Sequence, residues 1–296
     1  MPSIVKTLSD RKLISPPKFL PTNVHYETIM GSIAYGVSDD TSDEDVYGFC
    51  IPPKEILFPH LAGEIHGFTP KAPRFEQYQQ HHIQFSPTKE YDICIYNIVK
   101  YFKLCMDCNP NMIDSMFTPV NCIKHSTSVG NMVREKRKIF LSKKAWHTFK
   151  GYSYSQLYKM DVKKFEGSEK RRAEVERYGY SVKFAYHVVR LLNEVEQILT
   201  TGDIDLRQDK QRLKAIRRGE WTREQVQDFF ETKQKELESL YTSSKLPHSP
   251  DTDAIESLLM NCLEEHYGDL SSVCVRPTDE GKYLRKIRKV LDESGY

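Results

Sequence analysis

The sequence predicts an α+β fold in which a mixed or mostly antiparallel sheet with flanking helices is followed by a mainly helical region. Segments with β-strand character are confined to the first part of the chain, at 23–30, 43–51 and 90–96. Past Val120 the apolar residues recur almost entirely at helical spacing. We therefore predict two domains in the 296-residue chain, at 1–120 and at 121–296.

The three expected strands are bounded by residues that interrupt regular structure. The strand at 23–30 is followed by the turn Gly31-Ser32, and the strand at 43–51 stops at Pro52-Pro53. The third, at 90–96, reads Glu-Tyr-Asp-Ile-Cys-Ile-Tyr, which alternates polar and apolar positions over its first half. We expect these strands to form the sheet of the first domain.

Amphipathic helices are expected throughout the second domain. The longest, at 171–199, has an apolar stripe that runs from Tyr178 to Leu199. Further helical segments are predicted at 126–141, 145–160, 211–218, 222–240 and 253–265, with a last basic segment at 281–291.

Composition indicates a globular protein without a membrane segment. Hydrophobic residues make up 39% of the chain and charged residues 28%. No apolar run approaches the roughly twenty residues that span a bilayer. The first residues lack the apolar core of a secretory signal, and the seven cysteines follow no disulfide pattern. These observations lead us to expect a cytoplasmic location.

Charge is distributed unevenly along the chain, although the net charge is only +2. Through residue 120 there are ten basic residues against fourteen acidic ones, whereas 124–172 holds fourteen basic residues against four acidic ones. An acidic first domain beside a basic segment suits a polyanionic substrate that is held over metal-bound carboxylates.

The turn Gly31-Ser32 has the features of a phosphate-binding segment. Gly31 has no Cβ, so the chain can turn sharply there and a phosphate can approach the backbone. Ser32 offers a hydroxyl at the start of the next element, where free N–H groups attract anions. Gly-Ser alone is common in ordinary loops, so the prediction also depends on the residues after this turn.

Two carboxylates come after this turn, separated from it by a ten-residue gap. Asp43 and Asp45 are two residues apart, so on a strand both side chains leave the same face. Like charges so close repel unless a cation neutralises them, and Mg²⁺ prefers such oxygen ligands together with substrate phosphates. An Asp-x-Asp pair alone is usually a solvated turn, whereas strand, Gly-Ser, gap and acidic pair in this order favour a nucleotide site.

Asp92 is a candidate third carboxylate. It lies among apolar and aromatic residues in the predicted third strand, where a carboxylate needs a cation or strong donors. The alternative is a cap for the following helix. His81 and His82 precede this strand, and adjacent residues of a strand face opposite ways, so we predict a structural or surface role for them. Cys105 and Cys108 form a C-x-x-C without a matching pair, which favours core thiols over zinc.

At these positions the sequence resembles the DNA polymerase beta superfamily of nucleotidyltransferases. Gly31-Ser32 and Asp43-x-Asp45 match its motif, with Glu44 where many members have an apolar residue. The form Ser42-Asp43-x-Asp45-x-x-Gly48 is usual in the predicted-nucleotidyltransferase branch, which includes RNA-repair-associated polymerase-beta-like proteins. Further matches to that branch lie at Tyr91-Asp92, Asn109-Pro110, Gly151-Tyr152 and Arg177 to Arg190.

The resemblance implies a catalytic domain followed by a helical substrate- and nucleotide-binding domain. Asp43, Asp45 and Asp92 would hold two Mg²⁺ ions, with Mn²⁺ as an alternative, and would catalyse attack of a hydroxyl on the α-phosphate of a nucleoside triphosphate, with ATP favoured.

Further nucleotide contacts are implied for residues on both sides of the carboxylates, at Gly31, Ser32, Ser42, Lys183, His187 and Arg190. The last three share one helix face by spacing, and a solvated basic face is the alternative.

The acceptor is the least determined part of the hypothesis. The basic, tyrosine-rich stretch at 124–180 suits an RNA or DNA end, because cations contact phosphates and aromatic faces stack on bases. Resemblance to RNA-repair members favours RNA. Two alternatives stay open: transfer to a small-molecule or protein hydroxyl, and a nucleic-acid-binding protein that has lost catalysis.

Overall fold

A five-stranded mixed sheet is the centre of the computed structural model, which describes residues 2–38, 43–162, 169–268, 270, 287, 290 and 291. The strands are β1 (Val24–Ile29), β2 (Glu44–Cys50), β3 (Gln77–Ser86), β4 (Lys89–Asn97) and β5 (Ile123–Ser126). Their order across the sheet is β3-β4-β2-β1-β5. β2 and β4 run parallel, and the remaining neighbours are antiparallel.

Helices flank the sheet and make up most of the chain after it. Those of the first part are α1 (Ile4–Asp10), α2 (Leu20–Asn23), α3 (Gly31–Ala34), α4 (Lys54–Leu57), α5 (Ile98–Met106) and α6 (Pro110–Phe117). Those that follow β5 are α7 (Ser128–Glu135), α8 (Lys144–Val162), α9 (Glu169–Tyr178), α10 (Val182–Thr201), α11 (Lys210–Arg217), α12 (Arg223–Ser243) and α13 (Thr252–Tyr267). Short 3₁₀ turns lie at Pro59–Ala62, Val120–Cys122 and Arg137–Phe140.

The three predicted strands correspond to β1, β2 and β4, and the sheet contains two more. β3 was not predicted because its sequence is largely polar on both faces. β5 was not predicted because it has only four residues. β5 pairs with β1 although it lies beyond residue 120, where an almost wholly helical pattern was predicted. A division at residue 120 would therefore separate β1 from its partner strand, and the two-domain division stays a prediction.

The helix predicted at 171–199 is two helices, so this expectation is wrong in one respect. α9 ends at Tyr178 and α10 begins at Val182. Gly179 between them has φ of +80°, the left-handed conformation that commonly terminates a helix. The apolar stripe identified in the sequence is largely that of α10, whose middle is buried on nearly all sides.

The core is continuous from the sheet into the helices. α10 packs against α8 and α12, while Tyr26 of β1 lies against Phe49 of β2 with ring centroids 5.9 Å apart. Cys105 and Cys108 are fully buried, in agreement with the core role predicted for these thiols. Among the helices that the structure describes, none has both the length and the apolar character needed to cross a bilayer. The predicted basic segment at 281–291 lies almost wholly outside the described residues, and so does Ser42.

Candidate nucleotidyltransferase site

Gly31 lies in direct contact with one of the predicted carboxylates. It follows β1, opens α3 and has φ of +64°. A Cβ at this position would come within 2.3 Å of Oδ2 of Asp45, so only glycine fits without displacing that carboxylate. The N–H of Met30 donates to the carbonyl oxygen of Asp45 at 2.7 Å and fixes the two segments together. Ser32 is partly exposed beside this contact.

The register of the parallel strands brings two carboxylates together. Asp45 of β2 lies directly opposite Asp92 of β4, and in a sheet such partners project from the same face. Asp43 immediately precedes β2 and is exposed. Burial raises the pKa of Asp45 to about 6, and the negative charges of Asp92 and Asp43 contribute to this shift. The three predicted acidic residues are therefore neighbours.

Lys183 faces these carboxylates from the first turn of α10. Its side chain is exposed, and its positive charge counteracts the rise in the pKa of Asp45. His187 lies one turn further along α10, where burial and the charges of Arg190 and Lys183 hold its pKa well below the usual value. The helix therefore places a cation near the carboxylates, with a neutral imidazole one turn further along.

Arg190, the third predicted residue of this face, is enclosed by protein. Its guanidinium group donates to Asp114 and, at 2.9 and 2.8 Å, to the two carboxylate oxygens of Glu194. It also stacks over the ring of Tyr35 at 4.2 Å. With only 4% of its surface exposed, Arg190 connects α10 to α6 and to the segment after α3. Helical spacing predicted that Arg190 would share a nucleotide-binding face with Lys183, but its guanidinium group is already paired with carboxyl groups of the protein.

Two histidines that we predicted to face opposite ways both contact the site, and the reason is a β-bulge. The β3–β4 register shifts between Gln80 and Ile83, and His82 has φ of +55°. His81 Nδ1 lies 3.0 Å from Oδ2 of Asp92, and the N–H of His82 donates to Oδ1 of Asp92 at 2.8 Å.

The same bulge creates a second set of potential metal ligands. His82 Nδ1 lies 2.6 Å from Oε1 of Glu90. Among the described residues, His82, Glu90 and Asp92 form the group whose donor atoms all lie within 4.8 Å of one another. The carboxylate oxygens of Asp43, Asp45 and Asp92 do not all lie within that distance of one another. The sequence signal was a His-His pair opposite Glu-x-Asp in a hairpin, but strict strand alternation concealed it.

A chain of hydrogen-bonded polar side chains extends from Asp92 along β3. Gln79 Nε2 lies 2.7 Å from Nε2 of His81, and Gln77 Nε2 donates to Oε1 of Gln79 at 3.1 Å. These residues project from the face of the sheet that bears Asp92, because Gln79 pairs with Cys94 and Gln77 with Tyr96. None of them was a candidate from the sequence.

Half-buried tyrosines border the carboxylates on this same face. The rings of Tyr47 of β2 and Tyr96 of β4 have centroids 6.4 Å apart. Burial raises the pKa of both phenols, and the charges of Asp45 and Asp92 add to the effect at Tyr47. The site thus combines carboxylates suited to a hard divalent cation, a lysine suited to phosphate, and aromatic faces suited to a base.

Comparison with known proteins identifies the family. No curated protein sequence matches the chain significantly. Among solved structures, a nucleotidyltransferase-like protein from Exiguobacterium sibiricum 255-15 matches with 10% identity over 88% of this chain and 79% of that one, at a TM-score of 0.28. A score that low carries no argument about this chain.

The sequence profile of the RlaP family matches residues 10–261, a range that includes all five strands, the predicted carboxylates and the helices from α2 to α12. Because that match covers most of the sequence, the chain belongs to the RNA repair pathway DNA polymerase beta family, and its mixed sheet with flanking helices is the nucleotidyltransferase fold that the sequence predicted.

Proposed function

We propose that this protein transfers a nucleoside monophosphate from a nucleoside triphosphate, with ATP favoured, to a hydroxyl at an RNA end and releases pyrophosphate. The observation that carries the proposal is the pairing of Asp45 with Asp92 on adjacent parallel strands, with the backbone of Gly31 against Asp45. Membership of a polymerase-beta family supports the reaction class.

The acidic residues fit a divalent cation. Burial and two neighbouring carboxylates raise the pKa of Asp45, which means that its negative charge lacks compensation from the protein alone. Asp43, Asp45 and Asp92 would hold two Mg²⁺ ions, or Mn²⁺, and bound ions would supply charge neutralisation at the phosphates and acidify the attacking hydroxyl.

The protein's own groups would orient the triphosphate. Because Gly31 has no side chain, a phosphate can approach its backbone closely. The Ser32 hydroxyl can donate to a phosphate oxygen, and the Lys183 ammonium group can pair with the β- or γ-phosphate. His187, being neutral, can donate one hydrogen bond without adding charge. A contact from Ser42 remains part of the proposal on sequence grounds.

Arg190 has a different role in this proposal from the one its spacing suggested. Its ion pairs with Asp114 and Glu194 and its stacking on Tyr35 hold α10 against the segment that follows Gly31. We therefore assign it to the stability of this packing, without contact to the nucleotide.

An RNA end is favoured as acceptor for two reasons. The family is described as belonging to an RNA repair pathway. In addition, α8 exposes Tyr154 and Tyr158, at 61% and 60% of their surfaces, within the most basic stretch of the sequence. Exposed aromatic rings among cations are suited to single-stranded nucleic acid.

Labelled nucleoside triphosphates test this proposal directly. The protein is incubated with each triphosphate, Mg²⁺ and separate RNA ends, DNA ends and small hydroxyl compounds, and the products are resolved by gel and by thin-layer chromatography. We expect label on RNA, its loss in Asp45→Asn, and its retention in Asp228→Asn, an exposed carboxylate on α12. Label only on small molecules or on the protein itself would contradict the RNA acceptor, and no label on any acceptor would contradict catalysis.

A further inference from the structure

The order of the strands defines two sides of the candidate site. Gly31 and Ser32 follow β1, the carboxylates lie on β2 and β4, and β3 is the strand beyond β4. Phosphoryl transfer displaces its leaving group in line, so the attacking hydroxyl must approach opposite the departing pyrophosphate. If the β- and γ-phosphates lie on the β1 side, the acceptor has to approach from the β3 side, over Asp92.

The β3 side carries a neutral polar surface, which we name the acceptor surface and define as Gln77, Gln79, His81 and Tyr96. The first three side chains form a continuous hydrogen-bonded chain that ends on Oδ2 of Asp92. About half of the His81 side chain is exposed, and Gln79 is exposed, so their groups can reach a ligand. Tyr96 lies half-buried opposite Gln77.

The two hydrogen-bond partners of the His81 ring indicate which of its nitrogens donates. The amide nitrogen of Gln79 can only donate, so Nε2 of His81 accepts and the ring proton resides on Nδ1, from which it is donated to Asp92. A carboxylate held in this way keeps its orientation toward the cleft. The His81 imidazole thus links Asp92 to Gln79, and it lies between Asp92 and a ligand bound at Gln77 and Gln79.

We propose that the acceptor surface binds the terminal ribonucleotide of the RNA, with its base against Tyr96 and its ribose and base edge on Gln77, Gln79 and His81. This inference rests on the proposed function. Amides and an imidazole offer donors and acceptors without charge, which matches hydroxyls and base edges and does not match a phosphate. A terminal nucleotide that presents a free hydroxyl to Asp92 has that chemistry.

The rest of the RNA has a path away from this surface. Tyr152 of α8 is close enough to Tyr96 to influence its pKa, and its hydroxyl accepts a hydrogen bond from Asn109 at 2.9 Å. Tyr152 borders a groove of about 420 Å³ on α8 that also contains His147 and Lys159. Phosphates of the preceding nucleotides would therefore leave the neutral surface and meet the basic face of α8.

The test measures RNA binding without any triphosphate, so that it does not depend on turnover. Fluorescence anisotropy of a labelled short single-stranded RNA with free terminal hydroxyls is compared for the wild type, the double variant Gln77→Ala/Gln79→Ala and the control Gln80→Ala. Gln80 is on the same strand, but it pairs with Ile93 and projects from the opposite face. We expect Kd to rise about tenfold in the double variant and to change by less than about twofold in the control.

A second measurement separates this inference from the proposed function. In the transfer assay, the double variant should raise the KM for RNA and leave the KM for the triphosphate unchanged. If the wild type binds RNA through the glutamines yet transfers no nucleotide, the acceptor surface stands and the proposed reaction fails. Equal RNA affinity of the wild type and the double variant, equal losses in both variants, or binding of small hydroxyl acceptors only would overturn the inference. Thermal melts of each variant verify folding.

Discussion

At the scale of single residues, the backbone of Gly31, for which we propose phosphate binding, lies directly against the carboxylate of Asp45. No side chain separates the backbone of Gly31 from Oδ2 of Asp45, and the positive φ of Gly31 makes any other residue costly there. A substitution at Gly31 should therefore affect Asp45 before it affects the rest of the fold.

Replacing Gly31 by Ala tests this coupling. The new methyl group must displace the Asp45 carboxylate, and the left-handed backbone adds strain, so we expect unfolding free energy to fall by about 1–3 kcal/mol and nucleotidyl transfer to be lost. Denaturant titration and the labelled-triphosphate assay measure the two effects. The matched control is Gly67→Ala, which has a similar left-handed backbone but where a Cβ meets nothing within 4 Å, so transfer should be retained. Equal activity of the two variants would contradict the coupling.

The ionisation of Asp45 should make stability depend on pH in a definite direction. Its folded-state pKa of about 6 lies above the ordinary 3.8, so the folded state binds a proton more tightly and loses stability as pH rises from about 4 to 6. We expect Asp45→Asn to stabilise the metal-free protein at pH 8 by up to about 3 kcal/mol, with little effect at pH 4.

Added Mg²⁺ should reverse this penalty. Because a cation favours the ionised carboxylate, thermal unfolding of the wild type should shift upward with MgCl₂ more at pH 8 than at pH 5, and Asp45→Asn should respond weakly at both. A variant that gains as much from Mg²⁺ as the wild type does would show that Asp45 is not a ligand.

At the scale of elements, α10 has an exposed first turn, for which we propose a functional role, and a buried middle. Lys183 is exposed at its first turn, whereas Arg190, two turns later, is buried with Asp114 and Glu194. Ionisable groups buried together in this way are costly to disturb, because removing or shrinking one member leaves its partners unpaired. The same helix thus supplies a cation to the cleft and an ion cluster to the core.

One substitution at Arg190 and one at Lys183 distinguish these two parts of α10. Arg190→Lys keeps the charge but loses the planar group that stacks on Tyr35, so we expect a loss of about 2–4 kcal/mol in unfolding free energy and an unchanged KM for the triphosphate in the folded protein. Lys183→Ala should raise that KM about tenfold or more and change stability by less than about 0.5 kcal/mol. Equal KM increases in both variants would instead favour direct contact of Arg190 with the nucleotide.

The helices and strands also show which structural features can be predicted from the sequence. β1, β2 and β4 were predicted because each contains a run of apolar residues bounded by clear breakers. β3 and β5 depend on partner strands for their stability, so their own residues gave little signal. Gly179 was visible within the helical pattern, but only its left-handed backbone shows that it ends α9.

The site residues themselves stay a prediction, and the structure shows only which of them lie close together. Asp43 and Asp45 are two residues apart, and Asp92 was found through its apolar surroundings and the family resemblance. His81 and His82 were missed because a bulge in β3 overrides strand alternation. Gln77 and Gln79 acquire their place only from the pairing of β3 with β4.

At the scale of the whole molecule, charge is unevenly distributed along the chain, and the basic stretch carries exposed aromatic rings. The first 120 residues have more acidic than basic side chains, and 124–172 is strongly basic. Tyr154 and Tyr158 are exposed on α8 within that basic stretch. A polyanion should therefore be attracted to the helical part of the molecule while its end reaches the acidic site.

Binding of RNA should reflect both contributions. We expect the affinity for single-stranded RNA to fall steeply with salt, and the variant Tyr154→Ala/Tyr158→Ala to weaken it about tenfold or more at every salt concentration, because stacking is not screened. Anisotropy titrations over a salt series measure both effects. Phe68→Ala provides the control, since Phe68 is 85% exposed but lies in the acidic half. A double variant that only changes the salt slope would contradict stacking.

The parallel pairing of β2 with β4 has a practical consequence for protein engineering. Parallel neighbours need a long connection, and here it spans residues 51–88 and includes an exposed turn at Gly67, where a Cβ would meet nothing within 4 Å. Lengthening such a turn costs little closure entropy, while hydrogen bonds between the strands maintain the spacing of Asp45 and Asp92. Gly67 is therefore a suitable position to splice in a reporter domain or an affinity tag without disturbing the chemistry.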